Sequence, residues 1–360
     1  MRRWIPAVVV AASVSLTVVA WPTGSVHETS DAAPDYLFVH AAWNGINPYD
    51  ASWSSLADLF GGPHQDYGPP SKTPAVPVVQ AGWLLFSADQ VQQVARIVNT
   101  AALVGVCYLS ARIAGRRFVW WMATPVVALY PVQISWLLGN PIFVWVFLIL
   151  LTWWWTQHYD GWWVGVPLGV AAAVRLWPGL LAVALWRQGK RRSAVGVGSV
   201  AVGLNLAGLL VPGVRLEDAV RGLTTAGEVW LTSTANVSMV RLFGGSLWVT
   251  VLLVAAAVLF VWWHRSVEVA AVAAVLVTPL SWSSYYLAAA PVFVKLWPWS
   301  AVPIVLISAT VWWWLAPAGG LLLLVLHRRV EVEGLSLRVD ASLLLSEEAD
   351  VGGGQGRRHP

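Results

Sequence analysis

The sequence predicts an all-α protein, a polytopic transmembrane helix bundle of about ten to twelve spans with a large first extracytoplasmic loop. Three observations carry this expectation. Of the 360 residues, 58% are hydrophobic and only 11% are charged, against about a quarter charged in an ordinary soluble domain. The 26 Trp outnumber the nine Phe and eight Tyr together. The 22 basic residues fall in clusters separated by apolar stretches, the pattern of cytoplasmic loops between membrane spans. These features exclude a soluble globular domain and a disordered chain. The lone Cys107 excludes an internal disulfide and a cysteine metal cluster.

The first element is the apolar run Trp4–Trp21, which covers ~27 Å as a helix. It reads as an uncleaved anchor, although Val18-Val19-Ala20 leaves a cleavable signal peptide as the alternative. Basic clusters then occur at Arg2/Arg3, Arg112/Arg116/Arg117, Arg187/Lys190/Arg191/Arg192, Arg265 and Arg328/Arg329. Placed in the cytoplasm with the N-terminus, they require an even number of spans between neighbours. Residues 22–73 therefore form an extracytoplasmic loop, and residues 91–110 return through the membrane after a short segment at 74–86. Residues 118–137 and 140–155 make one hairpin, and 162–174 and 176–186 another. Residues 193–212 run out and 246–263 run back. Five prolines between Pro279 and Pro317 break the last third into short pieces. The domain boundaries expected are thus 1–21 for the first span, 22–73 for the acidic loop, 74–329 for the multispanning domain and 330–360 for a charged, Gly-rich cytoplasmic tail.

The first loop carries six acids (Glu28, Asp31, Asp35, Asp50, Asp58, Asp66) and one base, Lys72. It also holds Trp43, Tyr49, Trp53 and Tyr67, more packing side chains than a connector needs. The expectation is that it folds on the membrane surface as amphipathic helices. Three charges fall within apolar regions: Arg96, Arg175 and Lys295. A charge at membrane depth points to function unless it snorkels to the interface. Arg175, in Val-Arg-Leu-Trp-Pro, sits in the bend of the second hairpin on the side of the acidic loop. A guanidinium there suits an anionic group such as a phosphate, and Arg241 after the second outside loop is placed to do the same. Phosphate-binding Gly-Lys-Ser/Thr loops, His-Glu-x-x-His and Gly-x-Ser-x-Gly are all absent, and the seven His show no metal spacing.

Several segments, taken in order, resemble the polyprenol-phosphate-mannose-dependent mannosyltransferases of glycosyltransferase family 87, which have the multispanning GT-C fold. They are Asp31-Ala-Ala-Pro-Asp35-Tyr36, then Gly45-Ile-Asn47-Pro-Tyr49-Asp50, then Tyr67-Gly-Pro-Pro. Further on come Gly139-Asn140, Arg175-Leu-Trp-Pro178, Asn236-Val-Ser238 with Arg241, and Pro279-Leu-Ser-Trp282 with Tyr285-Tyr286. Together they cover roughly residues 4–300. Departures are Asn140 for the family's Gln, Arg175 for its Lys, and a Ser-Ser-Tyr-Tyr stretch where a His is often found. They leave the reaction class intact and bear on the identity of the substrate.

The resemblance implies mannosyl transfer from a polyprenyl-phosphate mannose to an acceptor hydroxyl at the outer face of a bacterial plasma membrane. Asp31 is the best match to the catalytic base, with Asp35 its rival. Arg175, Arg241, Asn140, Asn236, Tyr36, Tyr49, Trp282 and Tyr285 are the expected donor-phosphate and substrate contacts. The partners implied are the lipid bilayer, the lipid-linked donor and a glycolipid, polysaccharide or protein acceptor, with no nucleic acid. No cofactor or metal is implied, and the chain holds no Asp-x-Asp. A different lipid-phosphate sugar such as a pentose, a lipid-linked sugar flippase and a non-catalytic envelope assembly protein remain as alternatives. Most Trp fall at span ends as interfacial belt residues; Trp43, Trp53, Trp177, Trp230 and Trp282 fall beside the proposed site.

Overall fold

A computed structural model describes residues 31–116, 132, 135–136, 138–231, 238–243, 246–278, 283–296, 299–308 and 315–329. Among these every regular element is a helix and there is no strand, an all-α arrangement. The first helix, α1 (Ala33–Trp43), starts at Pro34 and stops at Asn44-Gly45, where Gly45 takes a φ of 75° that a residue with a Cβ rarely adopts. α2 (Trp53–Phe60) is capped by Ser52, whose side chain accepts from the Ser55 N–H. α3 (Val76–Val79) runs into a 3₁₀ turn at Ala81–Leu85.

α4 (Ala88–Ile113) opens on a capping box in which Gln90 Oε1 accepts from the Ser87 N–H at 3.1 Å. Its 26 residues extend ~39 Å. It is the one helix among the described residues long and apolar enough to cross a membrane. α5 (Ile142–Thr156), α6 (Val166–Val174, entered through a 3₁₀ turn at Trp162–Gly165) and α7 (Gly179–Arg187) follow. α8 (Arg191–Gly208), α9 (Leu216–Leu231) and α10 (Met239–Leu242) come next. α11 (Leu247–His264) and α12 (Val267–Val277) begin at Ser246 and Ser266, each accepting from a first-turn N–H. A 3₁₀ turn at Ser283–Ala289, α13 (Ala290–Leu296), α14 (Ala301–Ser308) and a helix at 315–329 complete the order. α5, 162–174, 248–264 and α12 are shorter apolar helices.

α4 packs on α5, α5 on α6, and α6 on α8, with α7 lying between α8, α11 and α12. The α6–α8 seam is built from glycine. A Cβ at Gly196 would overlap the Trp162 carbonyl, and one at Gly165 would overlap the Ser193 carbonyl. Close backbone approach of this kind gives helices in lipid their packing energy, since burial of apolar surface adds little there. The core below is large: Phe143, Phe293, Tyr286, Ile149 and Leu168 are almost fully buried.

The bundle has two chemically distinct ends. At one, Arg187 donates to the Trp262 carbonyl, Gln188 to the Arg265 carbonyl and Arg116 to the Lys295 carbonyl. Two of the basic clusters expected to be cytoplasmic therefore meet, and Arg116 of a third lies against Lys295. Lys295 belongs here too, 4.0 Å from Glu268. Glu268 lies in the first turn of α12, which thus supplies this cation with a carboxylate.

The other end is formed by α1, the segment 71–80, the start of α5, the α6–α7 bend and the far end of α8. Here α1 departs from the expected amphipathic surface helix. Both its faces are buried, with Leu37, Phe38, Val39, Ala41 and Ala42 at 0% exposure. Only α2 has the expected form, burying Trp53, Leu56 and Ala57 and exposing Ser54, Ser55 and Asp58. The expected first span, the tail and the 118–137 span lie outside the described residues, apart from Val132, Ser135 and Trp136.

Candidate functional site

Asp31 lies immediately before α1, and its backbone N–H donates to the Leu138 carbonyl at 2.8 Å. That bond draws the start of α1 to the Gly139-Asn140 turn. Gly139 has a φ of 74°, a conformation that favours glycine, and a Cβ there would crowd Gln92 and Ala95 on α4. Asn140 then does three jobs. Its Oδ1 accepts from the Ile142 N–H and so starts α5; its carbonyl accepts from Asn99; its Nδ2 donates to Asp31 Oδ2 at 2.8 Å.

Asp31 is half-buried. Burial pushes its carboxyl above the usual range, against the lowering effects of the Asn140 hydrogen bond, Lys72 and Arg175. One oxygen is thus oriented by a neutral amide, and the group is more basic than a surface Asp.

Asp35, one turn further along α1, is 2% exposed. Lys72 makes a close ion pair with its Oδ1, and Gln80 Nε2 donates to its Oδ2 at 2.9 Å. Both oxygens are therefore engaged by protein groups. The two acids, four residues apart across the start of α1, have acquired opposite environments. Lys72 and Gln80 escaped the reading by sequence. The signal was present in Lys72: an acid-rich loop that buries a carboxylate needs a cation, and this loop contains one.

Arg175 ends α6 in the bend Arg175-Leu176-Trp177-Pro178. It lies within electrostatic reach of Tyr285, Asp35 and Asp31, yet its buried Nε has no hydrogen-bond partner among the described residues. Trp177 stacks on Tyr285, ring centroids 5.5 Å apart and planes 25° apart. Arg175, Trp177 and Tyr285 line a cavity of about 570 Å³. Its other walls are mainly aliphatic, from Val183 on α7, Val254 and Val258 on α11 and Val277 on α12. A guanidinium in the wall of a mainly apolar cleft suits an amphiphile whose head is anionic.

Tyr67 completes the Asp31 side. Its ring meets Trp53 edge-on at 5.4 Å, and Trp53 donates to the Gly68 carbonyl at 2.6 Å. The buried Tyr67 hydroxyl has no hydrogen-bond partner among the described residues. Burial, then the charge of Asp31, pushes its phenol up to about 12.

The structure thus brings Asp31, Asp35, Asn140, Arg175 and Tyr285 together. It sends two expected contacts elsewhere. The Tyr36 hydroxyl donates to the Phe60 carbonyl at 3.0 Å, and that of Tyr49 to the Lys72 carbonyl at 3.2 Å. Both hydroxyls are consumed in holding the loop. Arg241 sits on α10, whose cap is Ser238, and it is not among the residues lining the cavity. Asn236 and Trp282 lie outside the described residues.

The tryptophans divide as the geometry requires. Trp162, Trp163, Trp186, Trp262 and Trp263 at helix ends are exposed, as interfacial anchors are. Trp177 is 8% exposed and lines the cavity. Trp53 packs within the loop and Trp43 is exposed, its indole N–H donating to the Pro77 carbonyl. The Trp230 and Trp282 side chains lie outside the described residues.

The family model of glycosyltransferase family 87 matches residues 67–284 of the chain. No curated protein and no solved structure matches it.

Proposed function

The chain belongs to glycosyltransferase family 87 and is a membrane glycosyltransferase; from that premise we propose that it moves mannose from a polyprenyl-phosphate mannose to an acceptor hydroxyl at the extracytoplasmic face of a bacterial plasma membrane. One observation carries this reading. A half-buried carboxylate with one oriented oxygen, Asp31, lies within electrostatic reach of a guanidinium, Arg175, in the wall of a mainly apolar cleft. Base and phosphate partner are together, and the cleft suits an isoprenoid tail.

In the proposed step, Asp31 takes the proton of the acceptor hydroxyl as its oxygen attacks the anomeric carbon. The bond from that carbon to the phosphate oxygen breaks, and its electron pair leaves on the phosphate. Arg175 stabilises the charge gathering there. Polyprenyl phosphate is a good leaving group of low pKa, so no general acid is needed. A single displacement inverts the anomeric centre, from β in the donor to α in the product. One carboxylate suffices, unlike the pair a glycosidase uses. Asp35 stays paired with Lys72 and holds α1 against the 71–80 segment. Asn140 keeps the Asp31 carboxylate turned into the site. A glycolipid, polysaccharide or protein would supply the hydroxyl.

The test is a membrane preparation supplied with mannosyl-phosphoryl polyprenol labelled in the sugar. Transfer releases polyprenyl phosphate and moves label to an acceptor. A flippase leaves the donor whole, and that outcome would refute the proposal. A parallel series with a pentosyl-phosphoryl polyprenol reads the sugar preference directly.

A further inference from the structure

One wall of the cavity that holds Arg175 comes from far along the chain. Leu223 and Gly227 of α9 line it. α9 is amphipathic, burying Asp218, Ala219, Gly222 and Ala226 and exposing Glu217, Val220, Arg221 and Thr224. Its dock is the Gly45–Asp50 segment, the stretch whose Tyr49 was expected to bind substrate. The Gly213 N–H donates to the Ala42 carbonyl at 2.8 Å. Asn47 Nδ2 bridges Asp50 Oδ2 at 2.7 Å and Asp218 Oδ2 at 2.9 Å. Arg221 pairs with Asp218 and reaches Asp50 at 3.5 Å. The Tyr49 ring lies so near Gly222 that a Cβ there would be 2.6 Å from it. The Tyr49 hydroxyl in turn holds the Lys72 carbonyl, and Lys72 pairs with Asp35.

The energetics of this dock suit a closure that can be undone. Arg221 and Asp50 are more than half exposed, so their attraction is weak and screened by salt. The network holds two carboxylates against one guanidinium and one amide. Without Arg221, Asp50 and Asp218 would repel across Asn47.

We propose that α9 is a cover over the cavity, latched by Asn47, Asp50, Asp218 and Arg221, and that Arg221 and Asp218 are positioning residues for lipid-donor binding. The inference rests on the donor reading above. A closed α9 completes the cleft around the lipid tail and, through Tyr49, fixes the segment that carries Lys72. A protein whose closed state is only partly populated binds its ligand more weakly by that fraction.

The test uses thiol accessibility. In a Cys107→Ser background, Leu223→Cys reports exposure of the wall to a membrane-impermeant maleimide. Adding Arg221→Gln should speed labelling about tenfold and raise the KM for polyprenyl-phosphate mannose about tenfold, with kcat within about twofold. Arg221→Lys should restore both. The native Cys107, buried in α4, serves as the control for general loosening, and Arg221→Gln alone must leave it unlabelled. Labelling at Leu223→Cys that does not respond to Arg221→Gln overturns the latch, as does a fall in kcat at constant KM or labelling of Cys107. Should no lipid-phosphate sugar be turned over by the parent protein, the donor reading fails and the labelling ratio alone decides the latch.

Discussion

Asp31→Asn and Asp35→Asn make the same chemical change one helical turn apart, and the structure assigns them opposite consequences. Loss of a general base costs about 10²- to 10⁴-fold in rate, or ~3–5 kcal/mol on the barrier. Asp31→Asn should therefore abolish most transfer. It should not destabilise the protein. Because burial raises the Asp31 carboxyl, the folded state binds its proton more tightly than the unfolded state does. Ionised at neutral pH, that carboxylate is a net cost to folding, and the amide removes it. The new amide oxygen still accepts from Asn140. Asp35→Asn behaves the other way. It takes from the Lys72 ammonium, 13% exposed, the carboxylate paired directly with it and leaves only the more distant Asp31, and removing one partner of a buried pair costs about 3–5 kcal/mol. We expect Asp31→Asn to match the parent in melting temperature after detergent extraction and to release little polyprenyl phosphate. Asp35→Asn should melt many degrees lower, and the fraction that stays folded should retain measurable turnover. An Asp31→Asn enzyme with more than about a tenth of parental activity, or an Asp35→Asn enzyme that is inactive at full stability, would exchange the two roles and refute the assignment.

Three further expectations follow from the same geometry. Since Asp31 must be deprotonated to accept a proton, kcat/KM should fall as pH falls through its raised pKa, and a pH–rate profile should place that limb above the range of an ordinary Asp. Arg175→Lys, which keeps the charge but loses the planar fork, should retain part of the activity, while Arg175→Gln should lose it by about 10²-fold or more; equal activities in the donor assay would remove Arg175 from phosphate binding. Gly196→Ala places a methyl group against the Trp162 carbonyl and should cost about 1–3 kcal/mol, seen as a lower melting temperature with unchanged KM for the folded fraction.

The helical frame was legible in the sequence because charge placement and serine caps are local signals. The hairpin expected at 162–174 and 176–186 is observed as 162–174 and Gly179–Arg187, and the 91–110 span as Ala88–Ile113. The pairing of Asp31 with Asn140 spans 109 residues, yet both lay in motifs that the family resemblance had marked. The Asn47 to Asp218 bond spans 171 residues. Nothing local distinguishes Asp218 from any acid in the first turn of a helix, where the helix dipole favours it anyway. The bond from the Tyr49 hydroxyl to the Lys72 carbonyl was hidden for a related reason. A hydroxyl in an outer loop has the same sequence whether it meets a sugar or a backbone carbonyl. The buried α1 was missed because amphipathicity signals one solvated face, and a helix covered by α2, α3 and α4 on all sides carries no such signature.

The legs of the Arg175 hairpin are short. The 162–174 leg rises ~20 Å and α7 ~14 Å, whereas the hydrocarbon layer is ~30 Å thick. With the basic end, where Arg187 and Gln188 make their contacts, set at the inner headgroups as proposed, the bend between them would stop below the outer headgroup plane. A bilayer meeting so low a rim thins or admits water there. A phospholipid-like donor would then find its phosphate level dropping toward Arg175 as it diffuses in from the side. On that placement the protein would not need to lift the headgroup out of its leaflet.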